Sequence, residues 1–326
     1  MIFAIETNNL CKRFGGFFSR KKIFALNNLN LTVPENVIFG FLGPNGAGKT
    51  TTIKILLGLV LASSGSSKIF NIDTTAPETR DHVGFLPENP KFYPYLTARQ
   101  FLTFCGELIH LDAMERSKRA DELLEKVGLT NAADQKVDGF SRGMLQRLGI
   151  AQALVSDPDL IILDEPITGL DPMGRVSVKK ILTDLRDEGK TIFFSSHILS
   201  DVEKMCDMIG ILNHGRLIEQ GRVEDIRSDI GADIYVRGLP KEAYEQGQEI
   251  CDYIMLQKGD VIMSVSSAEQ KEKVMEFLKA QNAAVVRTNR KQEDLETFFL
   301  RTIAADEQRR AAEAEAKEPA AAAAAS

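Results

Sequence analysis

The chain has 326 residues, 44% hydrophobic and 26% charged, with a net charge of −6. That is the balance of an ordinary globular protein with room for about two domains. The acidic balance disfavours a nucleic-acid-binding face, and the one basic cluster, Arg20-Lys21-Lys22, reads as a solvated trio. Cys11, Cys105, Cys206 and Cys251 are scattered, with no C-x-x-C pair. This argues against a zinc site or a disulfide framework and suits a reducing cytosol. No apolar stretch approaches the ~18 residues of a membrane span. Met1–Glu6 lacks the basic start and apolar core of a secretion signal. The chain is therefore expected in the cytoplasm, with any membrane role borrowed from a partner.

In chain order, residues 3–8 and 24–33 alternate apolar and polar side chains, which predicts two half-buried strands around a loop, Gly15 to Lys22. Val37–Leu42 reads as a buried strand. After it comes Gly43-Pro44-Asn45-Gly46-Ala47-Gly48-Lys49-Thr50, then Thr51 and a helical pattern with Ile53, Leu56, Leu57 and Val60 on one face. Ser63–Ser67 predicts a loop, and Val83–Leu86 a short strand ended by Pro87. Pro90 and Pro94 keep the chain irregular until the capping box Thr97–Gln100. Residues 98–156 read as almost entirely helical. Leu160–Leu163 is a buried strand, a helix runs from about Ser177 to Glu188 and stops at Gly189, and Thr191–Phe194 is the next strand. Ser200–Glu203 reads as a second capping box, and strands 208–213 and 216–220 form a hairpin about Asn213-His214-Gly215. Beyond residue 229, strands at 233–236, 262–265 and 284–286 and a helix at 269–281 predict a small α+β appendage. The Ala/Glu-rich stretch after Leu300 has too little apolar bulk to build a core and is expected to be disordered or a frayed helix.

The residues with chemistry fall in four places. Gly43–Thr50 is a complete G-x-x-x-x-G-K-[ST] loop between a strand and a helix. Its backbone N–H groups can crowd round phosphates, Lys49 can reach the β- and γ-phosphates, and the Thr50 hydroxyl can ligate Mg²⁺. The helix dipole then points at the anion. Second, Asp164 and Glu165 end an apolar strand. Asp164 is placed to hold Mg²⁺ and Glu165 to orient or deprotonate an attacking water; the plainer alternative is a glutamate that opens a turn before Pro166. Third, Ser141 begins a helix, as an N-cap or as part of an anion site. His197 stands just past a strand end, where it could sense a γ-phosphate rather than serve a structural role.

In this ordered set the chain resembles the ATP-binding subunits of ABC transporters over roughly residues 3–225. Gly43 to Thr51 matches the Walker A loop, Leu163-Asp164-Glu165-Pro166 the Walker B strand with its catalytic glutamate, Thr168-Gly169-Leu170-Asp171 the D-loop, and His197 the switch histidine. Phe14 occupies the place of the aromatic that stacks on adenine. The signature, usually L-S-G-G-Q, is Phe140-Ser141-Arg142-Gly143-Met144 here, keeping the serine and the second glycine. Glu88 stands where a glutamine is usual; a carboxylate would bind Mg²⁺ more strongly yet repel the γ-phosphate. Both departures look like the exporter branch related to drug, antibiotic and sodium efflux ATPases.

The resemblance implies an α/β fold: a P-loop NTPase core with an N-terminal antiparallel β-subdomain and an inserted helical subdomain. The expected organisation is an ATP-binding domain over 1–228 (helical part about 90–158), an accessory α+β domain over 229–303 and a disordered tail over 304–326. It also implies ATP and Mg²⁺ as cofactors, with Thr50, Asp164 and Glu88 toward the metal. Two copies would pair head to tail, Ser141, Gly143 and Asp171 completing the site of the opposite copy. The partner would be a separate permease at the cytoplasmic face of the inner membrane, with no nucleic acid involved. Rival readings are a soluble ABC ATPase acting on nucleic acid or ribosomes, an importer subunit, and a regulatory module that binds ATP without turnover. The first usually carries two fused ATP domains or a long coiled-coil insertion, which this chain lacks.

Overall fold

The computed structural model describes residues 3–15, 23–226, 229–257 and 260–323. Most of the Gly15–Lys22 loop lies outside them. The chain divides into two compact units, one of Met1–Val223 with Thr302–Ser326, the other of Glu224–Arg301.

The first unit is built on two sheets. The central one has six strands, β3 (Ile38–Leu42), β6 (Val83–Leu86), β7 (Leu160–Asp164), β8 (Thr191–Ser196), β9 (Met208–Asn213) and β10 (Arg216–Arg222), in the order β10-β9-β3-β8-β7-β6. All neighbours are parallel except the β9–β10 hairpin. A parallel strand is covered on both faces, which is why its sequence is continuously apolar rather than alternating. All five residues of β3 and of β7 are buried. The Phe193 ring lies 5.7 Å from that of Phe39 and 5.2 Å from that of Phe41, tying β3 to β8. A second, antiparallel sheet runs β2-β1-β4-β5, from β1 (Phe3–Phe14), β2 (Ile23–Pro34), β4 (Ser64–Ile69) and β5 (Ile72–Asp73).

Helices complete the unit: α1 (Lys49–Leu56), then α2 (Ala98–Leu108), α3 (Ala113–Lys126) and α4 (Arg142–Ala153) of the inserted layer, then α5 (Pro172–Asp187) and α6 (Leu199–Glu203); α7 (Val223–Ile226) falls at the division, with Val223 in the first unit and Glu224–Ile226 in the second. The Thr97 capping box forms as expected, Thr97 Oγ1 accepting from Gln100 N while the Gln100 side chain accepts from Thr97 N. The architecture is the expected P-loop NTPase arrangement, a parallel core carrying an antiparallel subdomain and a helical insertion.

Several local expectations change. Ser63–Ser67 is not a loop: Ser64–Ile69 is strand β4, paired antiparallel with β1. Pairing with β1 and a 2.6 Å hydroxyl contact between Ser67 and Thr74 override the weak strand preference of serine and glycine. The helix expected from Ser177 starts at Pro172, with Asp171 as N-cap and proline in the first turn. Met173 and Val176 are exposed, so the first turn shows no apolar stripe. The capping box at Ser200–Glu203 does not form, because α6 begins at Leu199 and Ser200 lies inside it.

In the second unit the sheet order is β12-β13-β11-β14, all antiparallel, from β11 (Asp229–Arg237), β12 (Tyr253–Gln257), β13 (Asp260–Val265) and β14 (Ala284–Gln292). Helix α8 (Tyr244–Ile250) and strand β12 add to the expected elements. Helix α9 (Ala268–Ala280) buries Val274 and Leu278 in one core with Ile234, Val236, Met263 and Val265.

Leu295–Ala323 form one helix, α10, and its part from Thr302 onward belongs to the first unit. Alanine, glutamate and arginine are among the strongest helix formers, so the composition that cannot make a core still makes a helix. Asp306 is 4% exposed, which composition alone does not predict. Among the described residues no helix is long and apolar enough to cross a membrane.

Candidate nucleotide site

The Gly43–Thr50 loop joins β3 to α1 at the C-terminal edge of the parallel sheet, where open α/β folds place their ligands. The turn needs its glycines. Gly48 has φ +114° and a Cβ there would stand 2.6 Å from the Ala25 carbonyl oxygen; a Cβ on Gly43 would stand 2.4 Å from that of Leu212. The loop is also tied from the side, Gly215 N donating to the Ala47 carbonyl at 2.8 Å.

The loop opens onto a cavity of about 340 Å³ lined by Pro44 to Thr51 together with Phe24, Ala25, Glu88, Glu165 and His197. Lys49 is nearly buried. Its ammonium donates to the Gly43 carbonyl at 2.6 Å and, more weakly, to that of Pro44 at 3.4 Å. Burial pulls Lys49 below the ordinary lysine range, while the charges of Glu165, Asp164 and Glu88 oppose the drop.

Glu165 is the hub of the polar contacts. Its Oε1 is 3.9 Å from Lys49 Nζ, and its Oε2 is 2.8 Å from His197 Nδ1 and accepts from Thr168 Oγ1 at 2.8 Å. The Glu165 carboxylate is thus only 10% exposed, between the lysine and the histidine. His197 is half exposed, so its ring borders both the glutamate and the cavity.

Asp164 ends β7 and is 4% exposed. Thr50 and Glu88 line the cavity. Among the described residues no three His, Cys, Asp or Glu side chains form a metal cage. Mg²⁺ takes oxygen donors, commonly one or two carboxylates, and fills its octahedron with phosphate oxygens and water. Thr50, Asp164 and Glu88 supply hard oxygen donors of this kind.

The remaining expected residues lie elsewhere. Ser141 is the N-cap of α4, its Oγ accepting from Met144 N at 3.3 Å, and Asp171 caps α5 by accepting from Gly174 N at 3.0 Å. These two helix starts adjoin: a Cβ on Gly143 would come within 4.0 Å of Gly174 Cα, and the Arg142 guanidinium packs on Gly169, whose φ is +72°. Neither Ser141, Gly143 nor Asp171 lines the cavity, and neither does Phe14, which is 44% exposed with Lys12 Nζ 5.0 Å from its ring centroid. The aromatic on the cavity wall is Phe24, with the Arg13 guanidinium 4.6 Å from its ring centroid. Sequence reading passed over Phe24 because it looked like an ordinary strand residue beside the better-placed Phe14. It named Thr168 only within the D-loop match, without its contact to Glu165, and missed Ser195, since hydroxyls that serve a carboxylate carry no spacing signal.

The comparisons with known proteins agree with this geometry. Residues 26–168 match the family model described as ABC transporter. The chain is 37% identical to a bacitracin transport ATP-binding protein of Bacillus licheniformis, over 93% of this chain and 98% of that one. It is 36% identical to a linearmycin resistance ATP-binding protein of Bacillus subtilis, over 72% of this chain and 74% of that one. A solved dimeric ATP-binding cassette in a post-hydrolysis state, bound to ADP and Pi, superposes with a TM-score of 0.61 at 27% identity, covering 67% of this chain and 98% of that one. With a phosphate loop, Glu88, Glu165 and His197 around one cavity, and a relative 37% identical over 93% of this chain and 98% of its own, the chain belongs to the ATP-hydrolysing, ATP-binding subunits of ABC transporters.

Proposed function

We propose that this subunit drives an exporter: two copies pair head to tail on the cytoplasmic face of a membrane permease, and ATP binding and hydrolysis open and close the pair. The observation that carries the reading is the Glu165 carboxylate held between Lys49 and His197 on the wall of the phosphate-loop cavity. Backbone N–H groups of Gly46 to Thr50 and the Lys49 ammonium bind the phosphates. Glu165 accepts a proton from the attacking water, and His197, 2.8 Å from its Oε2, holds the carboxylate and contacts the γ-phosphate. When bound, Mg²⁺ would neutralise phosphate charge, and Thr50, Asp164 and Glu88 would hold it.

The head-to-tail pairing is supported by where Ser141, Gly143 and Asp171 lie. They share one patch at the starts of α4 and α5, outside their own copy's cavity, and a second copy could present that patch to a bound triphosphate. Phe14 and Phe24 are the candidate neighbours of the base. Export rather than import is supported by the Arg142 and Met144 departures, by Glu88, and by the bacitracin transport and linearmycin resistance relatives. Only ATP that binds the closed pair better than the open one can do work on a permease. The test is a pull-down of the tagged Glu165→Gln chain with ATP from detergent-solubilised membranes. Co-purification of a polytopic permease is the expected result; recovery with ribosomes or nucleic acid instead would overturn the transport reading.

A further inference from the structure

Ser195 ends up next to both site carboxylates although no motif names it. It is fully buried near the end of β8, directly across from Asp164 in the β7–β8 register. A serine hydroxyl has one proton to give and lone pairs to receive. Here the proton goes to Asp164 Oδ1 at 2.6 Å, and the oxygen accepts the Glu165 backbone N–H at 3.0 Å. One oxygen atom therefore bonds the residue placed to hold the metal and the residue placed to accept the proton.

The bond to Glu165 matters because of its backbone. Glu165 has φ +53°, in the left-handed region that residues with a Cβ enter only at a cost. Such a conformation persists where its surroundings over-determine it. Around Glu165 those surroundings are Ser195 on the N–H, Thr168 N on the carbonyl at 3.3 Å, and Thr168 Oγ1 on the carboxylate. Ser195 is the one of these that also bonds Asp164.

We infer that Ser195 is a positioning residue of the ATPase reaction. It fixes the orientation of the Asp164 carboxylate and, through the Glu165 amide, the placement of the Glu165 carboxylate, touching neither nucleotide nor water itself. The inference rests on the ATPase reading of the site. Alanine at 195 leaves the Glu165 N–H without this acceptor and Asp164 Oδ1 without this donor. Threonine keeps the hydroxyl.

The experiment compares the parent, Ser195→Ala and Ser195→Thr full-length chains. It measures steady-state ATP hydrolysis, calorimetric ATP affinity with Mn²⁺ and without metal, and thermal unfolding. Residues that orient metal ligands typically cost 10- to 100-fold in metal affinity or activity when removed. Ser195→Ala is accordingly expected to lower kcat about tenfold or more, and to shrink the gain in ATP affinity that Mn²⁺ confers by a similar factor. Metal-free ATP affinity should stay near the parent's, and Ser195→Thr should recover kcat where its unfolding temperature matches the parent's. A parent-like kcat in Ser195→Ala, or an equal loss of ATP affinity with and without Mn²⁺, would overturn the assignment. A parent chain that does not hydrolyse ATP would overturn the ATPase reading instead, and the two affinities would still decide the role of Ser195.

Discussion

Asn213 and Asp306, 93 residues apart, share a buried hydrogen bond of 2.9 Å from the Asn213 amide to Asp306 Oδ2. Asn213 ends β9 and enters the turn whose Gly215 N–H holds the Ala47 carbonyl of the phosphate loop. Asp306 lies on α10 and also takes an ion pair from Arg309 at 2.7 Å. The terminal helix is thus fastened two residues from a support of the nucleotide site.

Removing this carboxylate leaves a buried amide without its acceptor, a loss of about 1–3 kcal/mol. Asp306→Ala is expected to lower the urea midpoint and to weaken ATP binding modestly. Asn213→Ala should do the same, and the double variant should be clearly less than additive because the two share one contact. Additive losses in the double-mutant cycle would show that the bond contributes nothing of its own.

Glu165→Gln removes the proton acceptor while keeping the shape of the side chain. Turnover should drop by roughly 10²–10⁴, the usual worth of a positioned general base. ATP binding should persist, and a nucleotide-trapped dimer should accumulate on gel filtration. Hydrolysis at the parent rate would return Glu165 to the role of a turn residue.

The pH dependence of ATP affinity follows from Lys49. Burial holds its pKa below the ordinary lysine value in the free protein, with Glu165, Asp164 and Glu88 opposing. A bound triphosphate adds negative charge and raises the pKa, so binding takes up a proton at alkaline pH. Affinity is therefore full below the free-state pKa and falls as pH rises through it. Titrating ATP from neutral to alkaline pH should show this fall in the parent, whereas Lys49→Arg, which stays charged, should show a flatter curve.

The two aromatic candidates can be ranked. Phe24 lines the cavity and Phe14 does not. Stacking on a base is worth about 1–3 kcal/mol per ring. Phe24→Ala is expected to weaken ATP binding more than Phe14→Ala, and to weaken GTP binding alike because stacking is indifferent to the base. Parent-like affinity in Phe24→Ala would move the base to Phe14.

Much of the site could be read from the chain because its chemistry is local. A glycine loop that cradles phosphate needs glycines at fixed spacing, a buried parallel strand must be continuously apolar, and Asp164 and Glu165 follow such a strand directly. The antiparallel strand at Ser64–Ile69 was hidden because its partner, not its composition, makes it a strand. The start of α5 at Pro172 was hidden because its first turn is exposed and carries no apolar stripe.

The sequence by itself determined the ligand class, the phosphate-binding loop, the paired carboxylates and the parallel core, since each depends on residues adjacent in the chain or on the period of a single element. Only the tertiary structure decided which distant groups meet. It brought Ser195 against Asp164 and Glu165, set Phe24 rather than Phe14 on the cavity wall, joined the starts of α4 and α5, and buried Asp306 against Asn213. Those contacts depend on strand register and on the packing of elements far apart in the chain, and a single buried hydroxyl or carboxylate leaves no periodic trace from which to read them.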